Sequence, residues 1–225
     1  MLIAARAPAR AEYAGIARFL ARQVEKLGVD LRRRVEATAD NVLDTAPDVV
    51  IIATGSHPHV PALPGLDDKP MVSDRDVLQA RVEAGDRVVG VVDVHTQQGL
   101  STAECPPRAG PAHRVISRLF SPGQDVGVTS IVPLYTRLFR KGVTLTPHTE
   151  LVAVEGSTVA NAFTGAQRRI DGVDTVVLSM GSRSTDAISR ALRNRGAALH
   201  AIGDCVAPRG IHQAILEGTR VARAI

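Results

Sequence analysis

The 225-residue sequence contains no tryptophan, four phenylalanines and two tyrosines, so its core has to be built from Ala, Val, Leu and Ile. Cysteine is nearly as scarce. Cys105 and Cys205 lie 100 positions apart, too few for a disulfide framework, and the expected setting is a reducing cytoplasm. Lysine occurs three times, so arginine supplies 24 of the 27 basic residues behind the net charge of +4. That surplus reads as codon bias. Only Arg32-Arg33-Arg34 is dense, and no aromatics interleave it, so nucleic acid is not an expected partner. Apolar runs stop at about five residues, so no membrane span is expected. Arg6 and Pro8 interrupt the apolar start, so no secretory signal is expected there.

What is present suffices for one large domain or two small ones. Periodicity predicts a helix over 11–27, with Ile16, Leu20, Val24 and Leu27 in one stripe and Gly28 as its C-cap. Strands are expected at 29–35, 48–53, 87–92, 115–116, 143–146, 151–154, 174–178 and 198–202, with a hairpin at 159–163 and 168–170. Further helices are expected at 73–80, at 131–140 with Pro133 in the first turn, at 185–195, and at the end, where Ile211, Ile215, Ala222 and Ile225 share a face. Residues 103–105 fit a helix that Pro106-Pro107 cut short, and 121–129 read as a loop. The 48–53 strand is apolar on both faces, as inside a parallel sheet. Strands alternating with helices imply an α/β fold with a mostly parallel sheet.

Several chemistries lack their residues. No two glycines stand two positions apart, so no G-x-G-x-x-G exists, and no lysine follows a glycine in a Walker loop. No H-E-x-x-H, C-x-x-C or G-x-S-x-G occurs, which removes the usual zinc, iron–sulfur and serine-hydrolase signatures. The histidines are scattered; His57 and His59 read as surface residues, so no metal site is expected. No catalytic acid or base stands out. Two strand ends do. The first is Ala53-Thr54-Gly55, where a glycine lets the backbone approach a flat cofactor. The second is Gly203-Asp204, followed by Arg209 and a helix start with Gln213. There a carboxylate can accept from sugar or ribityl hydroxyls, while free helix N–H groups favour a phosphate or reduced flavin. Asp204 as a plain helix cap is the alternative. Asp93 and Gly181 end two further buried strands.

These segments resemble the ATG and GD motifs of two-dinucleotide-binding-domain flavoproteins. More narrowly, Pro47 through Gly55, Pro61 through Gly65, Gly172 through Leu178, and Gly203-Asp204-Cys205 through Arg209 to Glu217-Gly218 resemble the NADH:flavin oxidoreductase family related to old yellow enzyme. The resemblance implies a Rossmann-like FAD- and NAD(P)-binding fold, with 1–82 and 168–225 as a partial FAD/ADP domain and 83–167 as an inserted NAD(P)-type domain. It implies that Ala53, Thr54 and Gly55 line the dinucleotide, that Asp204 binds its ribityl or pyrophosphate part, and that Arg209 and Gln213 face the flavin or phosphate end. The turn at Asp93 would receive the nicotinamide cofactor. The family's phosphate loop, FMN barrel and iron–sulfur ligands are expected to precede residue 1, on the same chain or on a separate barrel chain. The implied activity is NAD(P)H:flavin oxidoreduction. The alternative is a non-catalytic adenine-nucleotide-binding or docking module.

Overall fold

The computed structural model describes residues 1–65, 72–94, 97–105 and 113–225. The Pro106-Pro107-Arg108 interruption lies outside them. In chain order the main elements are α1 (Tyr13–Lys26), α2 (Ala39–Leu43), β1 (Val49–Ile52), β2 (Ser56–Pro58), β3 (Val72–Ser73), α3 (Asp74–Leu78), β4 (Val88–Val92), α4 (Gln98–Ala103), β5 (Arg114–Ile116) and α5 (Val128–Arg140). They continue with β6 (Thr144–Thr146), β7 (Thr149–Ala153), β8 (Thr158–Asn161), β9 (Gln167–Arg169), β10 (Thr175–Ser179), β11 (Ser182–Ser184), α6 (Ala187–Leu192), β12 (Ala198–Ala201) and α7 (Ile211–Ala224). The fold is mixed α/β with parallel sheet. Contacts group it into a larger unit, Met1–Val29 with Val60–Met180, and a smaller one, Asp30–His59 with Gly181–Ile225. The larger unit extends beyond 83–167 at both ends.

In the larger unit five strands run parallel in the order β3-β10-β4-β5-β6. All five residues of β4 are buried, because both faces of the sheet are covered. Val89 and Val91 pack with Ile116 and Leu178 against Leu151 and Val159 of the antiparallel β7-β8-β9 sheet. Alternate side chains point the other way, so Val92 and Val115 meet Leu100 of α4 and Leu134 and Leu138 of α5. Each such side chain contributes about 1.5–3 kcal/mol on leaving water. Glu104, at the end of α4, is buried and takes Arg137 of α5 in a fork of 2.6 and 3.1 Å, while Lys141 Nζ donates to its carbonyl. Removing one partner would strand a buried charge. Beside it, burial and the Glu104 charge push the Cys105 thiol up to about 11. Burial also raises the Asp74 carboxyl above its usual range, although Ser179 and Gln98 each donate to it at 2.7 Å.

The smaller unit pairs β1 with β12 in parallel and β2 with β11 antiparallel. Val50 and Ile52 pack with Leu192, Cys205 and the partly buried Val42, Leu43 and Ile188. Ile51 points the other way and is 40% exposed, so β1 is covered on one face only, unlike the expected doubly buried strand. Helix α1 forms inside the expected 11–27 span, but its stripe is not buried, since Ile16, Leu20 and Leu27 are exposed; it ends as expected, with Gly28 at φ +69° and Val29 N–H donating to Val24 O in a Schellman closure.

Other expectations shift. Residues 29–35 form no strand; no ladder among the described residues includes them, and Val29, Leu31 and Val35 are exposed. Helix α5 begins three residues early, which moves Pro133 from the first turn into the interior. Of 103–105, Ala103 ends α4 and Glu104 is its C-cap; α6 is shorter than 185–195 because Thr185 N–H bonds to Gly55 O at its start and Arg193 leaves helical geometry at its end.

A cavity in the larger unit is bounded by Gly90, Gly99, Val115, His113 and Asp74. A Cβ on Gly90 would come no closer than 3.8 Å to Val115, whereas one on Gly99 would strike Val92 at 2.7 Å. Gly90→Ala is expected to stabilise the protein by about 0.5–1 kcal/mol and raise Tm by about 1–4 °C. Gly99→Ala is expected to destabilise it by about 1–3 kcal/mol. Paired thermal melts check both signs.

Candidate functional site

At the end of β1 the chain turns through Ala53-Thr54-Gly55. Gly55 adopts φ +73°, a conformation only glycine takes without strain, and among the described residues no atom beyond its chain neighbours lies within 4 Å of where its Cβ would stand. Its carbonyl accepts Thr185 N–H at 2.9 Å, and Thr54 Oγ1 donates to Thr185 O at 2.5 Å. These bonds lead into the β2–β11 ribbon, which Gly181 opens at φ +88° while its carbonyl accepts His59 N–H.

At the end of β12 the chain turns through Gly203-Asp204-Cys205. Asp204 joins the two turns. Its Oδ2 accepts Ser56 Oγ at 3.1 Å, its Oδ1 accepts Arg209 N–H at 3.0 Å, and its main-chain oxygen accepts Ser184 Oγ at 2.8 Å. Asp204 therefore closes the 204–209 loop and does not cap α7. The α7 N-cap is Gly210, with no side-chain cap bond, so the first N–H groups of a 14-residue helix receive no side-chain acceptor at that position. The Gln213 side-chain oxygen lies 3.2 Å from where a Cβ on Gly210 would stand.

Glu217, one turn and more into α7, reaches back. Its Oε2 accepts Gly203 N–H at 2.7 Å, and its Oε1 pairs with Arg209. The Gly203 bond, reinforced by Arg209, holds the Glu217 carboxyl below the usual glutamate range. Arg209 thus faces Glu217 and also donates through Nε to Ala207 O. The buried Cys205 thiol lies 3.2 Å from Ile52 O and 3.0 Å from Ile202 O.

The structure thus brings Ala53, Thr54, Gly55, Gly181, Gly203, Asp204, Arg209 and Gln213 into the smaller unit, where Asp204 and the β2–β11 ribbon link the two strand ends. Asp93 belongs to the larger unit. Its side chain is almost fully buried, and both its oxygens are taken by Arg118, one by the main-chain N–H at 2.9 Å and one by Nε at 2.8 Å. Ser56, Ser184, Thr185, Glu217 and Arg118 carry bonds that sequence reasoning did not assign. Glu217 falls in a resembling run, but its reach to Gly203 has no local signal. Among the described residues, no three His, Cys, Asp or Glu gather as a metal site, and no helix is long and apolar enough to cross a membrane.

No family model matches the chain. It is 32% identical over 264 residues to N,N-dimethylglycine/sarcosine dehydrogenase of Chromohalobacter salexigens, covering 98% of this chain and 38% of that protein. It is 27% identical to a metal reductase of Desulforamulus reducens, again over 98% of this chain and 38% of that protein. The solved structure of 2-naphthoyl-CoA reductase with 2-naphthoyl-CoA superposes with a TM-score of 0.88 at 26% identity, over 99% of this chain and 34% of that one. Fold and homology define the class: by resemblance, this is flavin-dependent oxidoreductase sequence. Within that class the resemblance to the NADH:flavin oxidoreductases related to old yellow enzyme runs along the whole chain, which spans a little over a third of these relatives' length.

The Glu217–Gly203 bond makes a pH prediction. A lowered carboxyl pKa contributes stability that is present above the usual glutamate range and is lost as pH falls through the lowered value. Corrected amide-exchange protection at Gly203 should therefore drop on acidification through that window. In Glu217→Gln the protection should be lower and nearly flat with pH.

Proposed function

We propose that the chain is the dinucleotide-binding part of an FAD- and NAD(P)-dependent oxidoreductase that passes hydride or electrons between NAD(P)H and flavin. The smaller unit is the FAD- or ADP-binding side, Rossmann-like in type. The larger unit is the NAD(P)-binding side, wider than the 83–167 insertion alone. The observation that carries this reading is the Ser56–Asp204 hydrogen bond, which ties together two glycine turns at the carboxyl ends of paired parallel strands. Such ends are where open α/β sheets bind nucleotides.

The residues present fit an extended dinucleotide. Gly55 has an open flank, and the start of α7 has no side-chain cap. Each Asp204 oxygen, with one donor already, keeps acceptor capacity for a ribityl or ribose hydroxyl. Ala53, Thr54 and Gly55 would lie along the dinucleotide, with Gly203, Arg209 and Gln213 at its phosphate or flavin end. Gly181 shapes the adjoining ribbon. In the larger unit the turn at Asp93 would receive the nicotinamide cofactor. The flavin supplies the hydride and electron chemistry when bound; these residues orient it and set its electrostatics. FMN and an iron–sulfur cluster, where used, would be held outside this chain.

A second reading is a non-catalytic adenine-nucleotide-binding or docking module. Titration of the chain with FAD, ADP, NADH and NADPH, followed by NAD(P)H oxidation with an artificial acceptor, separates the two. Turnover supports the oxidoreductase, binding without turnover supports the module, and no binding overturns both. Gly55→Ala should weaken FAD or ADP binding about tenfold or more, because its methyl group would stand on the open flank, with a fold cost of only about 1 kcal/mol.

A further inference from the structure

His113 stands just before β5 and is 3% exposed. Buried polar groups are normally paired, yet its Nε2 has no hydrogen-bond partner among the described residues. The bond that the ring does make is to the main chain of Asp86, ahead of β4, and it favours the protonated ring. Nδ1–H is therefore the donor and the Asp86 carbonyl the acceptor. In the neutral ring Nε2 is left as a bare lone pair.

His113 borders the cavity that Gly90, Gly99 and Val115 also line. The charged groups around it are engaged elsewhere. Asp74 of α3 borders the same cavity, and its Oδ2 already accepts from Ser179 and Gln98. Arg114, next in the chain, donates through Nη1 to Thr146 Oγ1. At the end of α4, the Glu104 carboxylate takes Arg137 and its carbonyl takes Lys141 Nζ. The Asp86 carboxylate attracts the ring but makes no bond to Nε2. Burial dominates, and the imidazole titrates below the usual histidine value of 6.5. The main chain of His113 holds the sheet edge. Its carbonyl accepts Thr144 N–H at 2.9 Å, at the first residue of β6, the last strand in the sheet order.

We propose that His113 is an acid-sensitive latch on the β6 edge of this sheet. Neutral, the ring stays beside the cavity while its carbonyl holds Thr144. When Nε2 takes a proton from water, the new N–H finds no acceptor within reach. A buried, unpaired charge is costly, so the ring turns out to water and the start of β5 lets go of Thr144. His148, on the loop after β6, also has a buried and unpartnered Nε2, but its ring packs on Phe120 and Phe163 and does not border this cavity. The latch does not rest on the oxidoreductase reading given above.

Amide exchange of the full chain, corrected for intrinsic rates and read from about pH 7.5 down to about pH 5, tests the latch. A lowered histidine pKa makes stability complete above the usual value and lost as pH falls below it. Protection at Thr144 should therefore drop below pH 6.5, by up to roughly tenfold per pH unit, until the buried ring itself titrates. Protection at Val91, inside the sheet, should drop less. His113→Asn keeps a donor for the Asp86 carbonyl and cannot be protonated, so its Thr144 protection should be flat with pH. His148→Asn, in which asparagine suits the φ of +53°, should keep the parent's pH dependence. Titration of the His113 ring by NMR in the parent needs no variant to fold, and its midpoint should lie below 6.5. Flat Thr144 protection in the parent, an equal drop at Val91, or a ring midpoint at or above the usual value would overturn the proposal. So would a drop that survives in His113→Asn or is abolished by His148→Asn.

Discussion

A parallel strand needs cover on both of its faces, and most of this molecule follows from how far that need is met. In the larger unit it is met fully. One face of β4 lies against the antiparallel β7-β8-β9 sheet and the other against α4 and α5, which is why five consecutive positions can be Val or Gly without a polar residue among them. With both faces closed, the strand ends are what remains for chemistry. Asp93, Arg118 and His148 all stand at or just past carboxyl ends of this sheet. The smaller unit meets the constraint on one face, and Ile51 records the difference.

In the smaller unit a carboxylate does what a third strand would otherwise do. Asp204 accepts from Ser56 and Arg209 and, through its carbonyl, from Ser184. It draws together the turn after β1, the β2–β11 ribbon and the loop leading to α7. Glu217 adds a second tie from α7 to Gly203. The Arg209–Glu217 pair is open to water and adds little to these ties. A ligand entering here would meet donors and acceptors already fixed in position.

Much of the architecture is legible in the residues, for reasons that can be named. Helix α1 announces itself through a stripe at four, four and three, and β4 through its unbroken valines. The two glycine turns can be read because each follows a short apolar strand. Other parts leave no local trace. Helix α2 rests on a capping box between Thr38 and Asn41, with asparagine where glutamate or glutamine is usual. Strands β2 and β11 read Ser-His-Pro and Ser-Arg-Ser and have no apolar alternation; they exist because they pair with each other across more than 120 positions. Ser56, Thr185 and Glu217 are ordinary polar residues until the fold brings their partners within reach. The apolar 29–35 segment misleads in the opposite direction, since alternation alone cannot supply a neighbouring strand.

The two cysteines carry a consequence for electron flow. Cys105, with its thiol near 11, is ionised to only about one part in ten thousand at neutral pH, and Cys205 is buried against the carbonyls of Ile52 and Ile202. Neither is poised to attack a disulfide or to be captured as a sulfenic acid. Reducing equivalents moving past this chain would find no thiol relay in it, and mild thiol oxidants should leave both cysteines untouched.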